Sequence, residues 1–378
     1  MATLRSGYTT GACAAAAAKA ATLILLGKPS PEQVDIPFPD GERRSFFLHT
    51  CVLEGDTATS SVIKDAGDDP DVTNGAEIIA VVSKISKASK VSKNIAGKAG
   101  KGGENDDLVA IRIRAGSGVG IVTKPGLPIA QGEPAINPVP QQMIRQAVAE
   151  VMSLVTLVTQ DISLSLVVTI SVRNGEELAK NTLNQRLGII GGLSILGTTG
   201  IVRPVSAKAW TDTIDTSMKV ARAAGLDQVI LATGRTSEAA VQKLVRLPEE
   251  AQIMMGDYLQ HALNEAGKQG FIKVHLAGMW AKILKCALCI PQTHVRNGAL
   301  EIKQAADLLG TLGLERESVI SLRTANTARE ILQRLQEHGR EDVIEAVCYA
   351  AQQYAEQCSG LPVSIYLVTS EQGVIEQV

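Results

Sequence analysis

The sequence predicts two domains: a first in which short strands form a sheet with a helix packed on it, and a second in which helices and strands alternate around a short parallel sheet. Three observations carry this. Residues 34–113 hold short β-like runs (34–36, 45–49, 78–82 and 108–113) separated by polar turns. Beyond Pro204, helix-like and strand-like segments alternate to the end, the pattern of parallel strands joined by helices. Between them lies a glycine-rich block over residues 188–200, where the chain changes character and where the domain boundary is placed, giving domains 1–192 and 193–378. A length of 378 residues suits two separate cores.

The first expected element is a helix. Thr9 and Thr10 are favourable N-cap residues, Gly7 and Gly11 permit tight backbone, and Ala14-Ala15-Ala16-Ala17-Ala18 has the best intrinsic helix propensity. The helix should begin near Thr10 or Gly11 and stop at Gly27, ahead of Lys28-Pro29, after roughly four turns. Its unpaired amides, the threonine hydroxyls and Arg5 offer a seat for a carboxylate or phosphate. The competing reading is an ordinary cap, with an alanine face that lets another element approach closely. The four β-like runs should then build one sheet. Residues 83–107, with Lys84, Lys87, Lys90 and Lys93 followed by Gly97-Lys98-Ala99-Gly100-Lys101-Gly102-Gly103, read as a low-complexity loop or, alternatively, a basic lid.

A helix should follow Asn137-Pro138-Val139-Pro140, with Met143, Ile144, Ala147, Val148 and Val151 on its apolar face, and residues 164–172 read as a strand. In the second domain the expected order is helix 213–224, strand 228–232, helix 236–247, helix 253–267, strand 272–277 and a helix through Cys289. Helices around 300–309, 325–335 and 343–357 then lead to a last strand at 363–368.

Bulk properties exclude several classes. With 37 Lys plus Arg against 39 Asp plus Glu there is no overall positive field, and two Trp, five Tyr and four Phe make no base-stacking platform, so nucleic acid is not a partner. The longest uncharged run, 187–202, falls short of the ~20 residues that span a bilayer and carries five glycines, so no membrane partner is expected. No signal-like segment opens the chain, and a cytoplasmic location with six reduced cysteines is expected. Cys286-Ala287-Leu288-Cys289 has the spacing of a metal or redox pair, with His294 the nearest third ligand. Its apolar surroundings read instead as a buried helix, and no metal is assigned.

The stretch Arg5-Ser6-Gly7-Tyr8-Thr9-Thr10-Gly11-Ala12-Cys13, running into the alanines, is similar to the opening signature of the CbiD family, the cobalt-precorrin-5B C1-methyltransferases of the anaerobic cobalamin pathway. The resemblance recurs in Lys64-Asp65-Ala66-Gly67-Asp68-Asp69-Pro70-Asp71-Val72-Thr73-Asn74-Gly75, in residues 118–127, in residues 132–140 and in residues 187–202; residues 83–107 look like an insertion. It implies an α+β N-terminal domain followed by an α/β C-terminal domain with a short parallel sheet. It also implies S-adenosylmethionine-dependent methylation of C1 of cobalt-precorrin-5B to give cobalt-precorrin-6A in cobalamin (vitamin B12) biosynthesis. The partner would then be a small-molecule cobalt-corrinoid, a tetrapyrrole bearing many carboxylates.

Beside this resemblance the residues take expected roles. Arg5, Thr9, Thr10, Gly11, Lys64, Lys124 and Asn137 face substrate carboxylates, with the opening loop as one wall of a cleft. Gly191, Gly192, Ser194, Gly197, Thr198, Thr199 and Gly200 let the cofactor approach backbone, and Asp65, Asp68 and Asp69 meet its ribose or ammonium. The alternatives are a tight interdomain turn and an aspartate loop closed by its own caps and ion pairs. The turns at Gly197–Gly200, Gly234 and Gly278 should lie at the carboxyl ends of strands, where open α/β sheets bind ligands. The family's Gly-His-x-Gly-Lys reads Gly278-Met279-Trp280-Ala281-Lys282 here, with the lysine kept and Met279 in the histidine position. His294 matches and is the one catalytic candidate, for a proton. In-line displacement at a sulfonium methyl needs alignment and water exclusion more than a strong base. Two rival readings are a small-molecule kinase using Gly116-Ser117-Gly118-Val119-Gly120 and a non-catalytic corrinoid carrier. That loop has Ile121 where a dinucleotide fingerprint needs Gly, and no Gly-Lys-Ser/Thr.

Overall fold

The structure, a computed structural model, describes residues 4–85, 111–159, 164–293 and 300–378. It divides into two compact units, Met1–Val205 and Ser206–Val378.

In chain order the first unit contains β1 (Gly7–Tyr8), α1 (Thr10–Leu25), β2 (Gln33–Pro37), β3 (Arg43–Phe47), β4 (Thr50–Glu54), β5 (Thr57–Ile63), β6 (Glu77–Lys84), β7 (Ile111–Ala115), β8 (Gly118–Val119), β9 (Ile121–Val122), α2 (Pro138–Thr159), β10 (Leu166–Val172), α3 (Gly175–Ala179), β11 (Ile189–Ile190), β12 (Gly192–Leu193) and β13 (Ile201–Val202). Helix α1 is the centre of this unit. The Thr9 hydroxyl caps it by accepting from the Ala12 amide at 3.2 Å, and it closes at Gly27 (φ +80°), where the Lys28 amide reaches back to the Leu23 carbonyl. Ala12, Ala14–Ala18, Ala20 and Ala21 are fully buried, so the helix is apolar on nearly every side, apart from Lys19, which pairs with Glu150, and is enclosed on several sides. It packs against α2, β5 and β6. A Cβ on Gly11 would lie 2.7 Å from the Pro140 ring, so α2 approaches over small residues, the close approach that the alanine face anticipates.

The main sheet runs β4-β5-β6-β10-β7, antiparallel except for the parallel β10–β7 edge. The runs at 34–36 and 45–49 do not join it: β2 and β3 pair only with each other. Alternation identifies which face of a strand is buried but not which strand lies beside it; β5 is rich in Thr and Ser, and β4 leaves Val52 and Leu53 exposed, so neither carries a clear apolar alternation.

The second unit contains α4 (Ala207–Ala223), β14 (Gln228–Ala232), α5 (Arg235–Gln242), β15 (Gln252–Met254), α6 (Leu259–Lys268), β16 (Lys273–Met279), α7 (Trp280–Ala287), α8 (Ile302–Thr311), α9 (Arg316–Leu322), α10 (Ala328–Glu337), α11 (Glu341–Ser359), β17 (Val363–Thr369) and β18 (Gly373–Gln377). Its sheet runs β15-β14-β16-β17-β18, with four parallel strands and an antiparallel edge strand, β18. The expected helix 253–267 is a strand followed by a helix, because Gln252-Ile253-Met254 is a short, mostly buried run that fits a parallel strand, here at the sheet edge beside β14, as well as a helix.

The boundary between units falls at Val205/Ser206, after the glycine-rich block rather than within it at 192. The reason is pairing: β12 runs beside β8 and β13 beside β1, which fastens residues 192–202 to the first unit. Gly197 and Gly200 therefore do not end strands of the parallel sheet, whereas Gly234 and Gly278 do sit at carboxyl ends, of β14 and β16.

In the second unit His275 on β16 is buried between the Tyr366 hydroxyl at 3.0 Å and the Gln228 side-chain oxygen at 3.0 Å. Burial, with Lys273 nearby, pushes its pKa down to about 4. The folded state therefore holds it neutral, and its contribution is complete above the unfolded value of about 6.5 and declines as pH falls toward 4. The urea midpoint should drop between pH 7 and pH 5, and His275→Gln should flatten that part of the profile. In the first unit Gly118 (φ +73°) has no room for a Cβ, which would lie 2.1 Å from the Val172 carbonyl oxygen. Gly118→Ala should cost at least about 2 kcal/mol in denaturant unfolding.

Candidate functional site

The opening segment is laid antiparallel on the aspartate loop. The Tyr8 amide donates to the Asp65 carbonyl at 2.7 Å, the Asp68 amide to the Arg5 carbonyl at 2.9 Å, and Ser6 bridges Gly67. A Cβ on Gly7 would lie 2.1 Å from the Ala66 carbonyl carbon, and one on Gly67 (φ +68°) 2.1 Å from the Arg5 oxygen. Glycine at both places is a packing requirement. The Arg5 guanidinium grips Asp65 through both carboxylate oxygens, at 2.6 and 2.8 Å, while the Arg5 amide donates to Asp68 at 2.6 Å. This clamp, helped by the Gly67 amide, pulls the Asp65 pKa down to about 2.

The other aspartates are also engaged. Asp69 accepts from the Val205 amide at 3.1 Å, and Asp71 accepts from the Thr73 amide and hydroxyl at 2.7 and 2.6 Å and from the Lys64 ammonium. Lys64 is only 2% exposed, so its expected role toward substrate carboxylates is not met: its stem is core and its head is paired with Asp71. The structural alternative, a loop closed by its own caps and ion pairs, describes this segment.

The helix N-terminus is likewise filled from within. The Gly11 amide donates to the Leu196 carbonyl at 3.2 Å, the Thr10 hydroxyl donates to the same oxygen and accepts from the Leu196 amide at 3.0 Å, and the Thr9 amide donates to the Gly200 carbonyl at 3.0 Å. With the Ala12 amide on Thr9, the anion seat expected near Thr10 and Gly11 is occupied by loop 196–200. Gly197 (φ +132°) lies against Thr9, where a Cβ would come within 2.4 Å of the hydroxyl oxygen.

The remaining blocks meet the same frame. The Asn137 amide donates to the Ile195 carbonyl at 2.9 Å, and Ile136 pairs with Ile195. Gly192 faces Gly118 across β12–β8, and buried Ser194 bonds Asn184. Thr123 donates twice to the Gly188 carbonyl, and the stem of Lys124 lies over Gly188, where a Cβ would be 2.5 Å away. Gly118 and Gly120 are needed for contact with Val172, Gly175 and Gly192, which leaves no phosphate cradle at residues 116–120. The frame therefore gathers all five sequence blocks. Arg5, Asp65, Asp68, Thr198 and Thr199 are exposed on it, Asn137 and Asp69 are half-exposed, and Gly191 is open. Beyond Asn137 an open groove of about 770 Å³ runs along α2, between Ile111 and Pro138, Gln141, Gln142 and Arg145.

In the second unit Lys282 pairs with Asp257 and donates to the Thr293 carbonyl at 3.0 Å, and Lys285 donates to the same oxygen at 2.9 Å. His294 lies outside the described residues, as do residues 86–110, which hold most of the lysine-rich segment. Cys286 is buried, donates to the Ala351 carbonyl at 3.4 Å and has its thiol pKa raised by burial; Cys289 is exposed. Sequence reasoning did not single out Asp257 or Trp210. Asp257 directly follows Gly256 after a strand, the one signal that could have pointed to it.

Two family models match the chain: CbiD over residues 1–204 and CbiD, C-terminal domain, over residues 292–378. A cobalt-precorrin-5B C(1)-methyltransferase of Desulfotalea psychrophila is 55% identical over 98% of this chain and 97% of its own length. One of Geobacter metallireducens is 46% identical over 94% and 93%, and one of Geotalea daltonii 47% over 93% and 92%. A crystal structure of the cobalamin biosynthesis protein (cbiD) from Archaeoglobus fulgidus is 24% identical, with a TM-score of 0.38 over 89% of this chain and 85% of that one.

Removing Lys64 strands the partly buried Asp71 carboxylate. Lys64→Met should therefore lower unfolding stability by about 3 kcal/mol, whereas Arg5→Ala, at an exposed pair, should leave the urea midpoint nearly unchanged.

Proposed function

The chain belongs to the CbiD family, and we infer that it methylates C1 of cobalt-precorrin-5B to give cobalt-precorrin-6A, with S-adenosylmethionine as the methyl donor. The observation that carries this is identity of 55% over nearly the whole length with a curated methyltransferase of that specificity. Neither a kinase nor a carrier is supported: the relatives are named as methyltransferases, and the glycines of residues 116–120 are committed to backbone packing. Among the described residues no helix is long and apolar enough to cross a membrane. We place the reaction in the cytoplasm, on a small-molecule corrinoid.

The donor brings a methyl group already activated by its sulfonium, so the protein's part is to hold and align. We assign substrate contact to the exposed rim of the first unit's frame. Arg5, held in orientation by Asp65, receives a corrin carboxylate, and Asn137 and Thr198 offer hydrogen bonds beside it, while the Thr199 hydroxyl, bonded to the Ile201 backbone, keeps that turn in shape. Lys124, whose stem lies over Gly188, is assigned to substrate as well. Thr9, Thr10, Gly11, Lys64 and Ser194 act one layer beneath, keeping the rim rigid.

Incubation with methyl-labelled S-adenosylmethionine and cobalt-precorrin-5B should place the label on C1 and release S-adenosylhomocysteine; label elsewhere on the ring, or no transfer, would overturn the assignment. Arg5→Ala should raise KM for the corrinoid about tenfold, the worth of a charged hydrogen bond, and leave the donor's KM unchanged. Equal loss toward both would return Arg5 to a purely structural role.

A further inference from the structure

The second unit's parallel sheet reverses direction of growth at β14, with β15 on one side and β16 on the other. In open α/β sheets such a reversal opens a crevice at the carboxyl ends of the strands. Ala232 on β14 is in register with Met254 on β15 and Ala277 on β16. Gly234 and Gly256 therefore stand level just past two neighbouring strands, with Gly278 one residue behind on the third. The helices that follow these strands, α5, α6 and α7, all begin without a side-chain cap.

Gly234 has φ 178°, an extended conformation open to any residue, and a Cβ there would meet nothing within 4 Å. Neither the backbone nor the packing requires glycine at this position; an approaching ligand would. Gly256 (φ +56°) lies beneath the ring of Trp210, whose Cζ3 would be 3.7 Å from a Cβ at that position, and Trp210 stacks on Tyr258 at 6.4 Å while remaining 46% exposed. Asp257, next in the chain, is fixed by Lys282 and by the Thr293 hydroxyl at 2.8 Å. Trp280, two residues past Gly278, is 4% exposed, and its indole Nε1 has no hydrogen-bond partner among the described residues.

We propose that the carboxyl edge of β14, β15 and β16 binds the adenosyl moiety of the methyl donor: Gly234 lets it approach backbone, Trp210, seated over Gly256, stacks on the adenine and Asp257 accepts from the ribose hydroxyls. This rests on the methyltransferase reading above. It moves cofactor binding away from Gly191–Gly200 and Asp65, Asp68 and Asp69, which the first unit uses for its own frame. An exposed aromatic face, a carboxylate and open backbone are what an adenine, a ribose and a close-lying thioether or sulfonium require.

Both tryptophans of the chain, Trp210 and Trp280, belong to this edge, so intrinsic fluorescence reports on it directly. The probe is S-adenosylhomocysteine, titrated into the full chain by calorimetry and by tryptophan fluorescence. Binding should change the emission. Trp210→Ala should raise the dissociation constant about tenfold, as loss of one base-stacking face does. Gly234→Val should abolish binding while leaving the thermal midpoint where it was, because the folded chain has room for the side chain. Thr199→Val, in the first unit, should bind as the unaltered protein does. If the unaltered chain does not bind S-adenosylhomocysteine, the donor assignment fails and this site with it. If it binds and neither Trp210→Ala nor Gly234→Val weakens it, or if Thr199→Val does, the donor assignment stands and the placement is overturned.

Discussion

Exclusion of side-chain volume around α1 is the constraint on which the first unit depends. The helix is buried along nearly its whole length, and several segments reach it where Cβ atoms are missing or small. Gly11 admits Pro140 of α2, Gly7 and Gly67 let the opening segment lie on the aspartate loop, and Gly197 lets loop 196–200 close over Thr9. Gly118, Gly120 and Gly192 continue the same close packing toward the β8–β12 pair. Interiors packed this tightly tolerate little added volume. A sequence signature rich in Gly, Ala and Thr is thus first a description of a frame, and only its outward side chains are left for a ligand.

Charge follows the same division. The aspartates between residues 65 and 71 look from composition like a cation site, yet each meets a donor from the protein: Arg5 and Gly67 for Asp65, Arg5 for Asp68, Val205 for Asp69, Lys64 and Thr73 for Asp71. Under the proposed function these pairings matter, since unpaired negative charge would repel a substrate bearing many carboxylates. Arg5 lies at the exposed limit of this network, where its orientation is set by Asp65 and its guanidinium still faces solvent. Lys64 is the buried counterpart, and its work is structural.

The second unit has a different logic. Four of its five strands are parallel and covered by helices, so its core is ordinary Ala, Val, Ile and Leu packing, and what distinguishes it is the edge where three glycines, two tryptophans and Asp257 come together. None of these residues is unusual in its own segment. Gly256-Asp257-Tyr258 reads as a turn, and Trp210 as one residue of an amphipathic helix; the register of β14, β15 and β16 makes them neighbours.

What the sequence determined by itself was local and familial. Cap and stop residues marked α1 to within a residue, the alternation after Pro204 announced a parallel sheet, and the five blocks identified the family, because capping, propensity and motif order are carried by residues adjacent in the chain. Tertiary structure alone decided which strands pair, where the glycine block belongs and which polar residues remain available. Strand partners are chosen by contacts between segments far apart in sequence, so β2–β3 separate from the main sheet and β12 and β13 join the first unit. For the same reason Lys64, Thr10 and Gly11, which read as ligand groups in one dimension, find partners within the protein in three, and the frame they build leaves Arg5, Asn137, Thr198 and Thr199 facing outward.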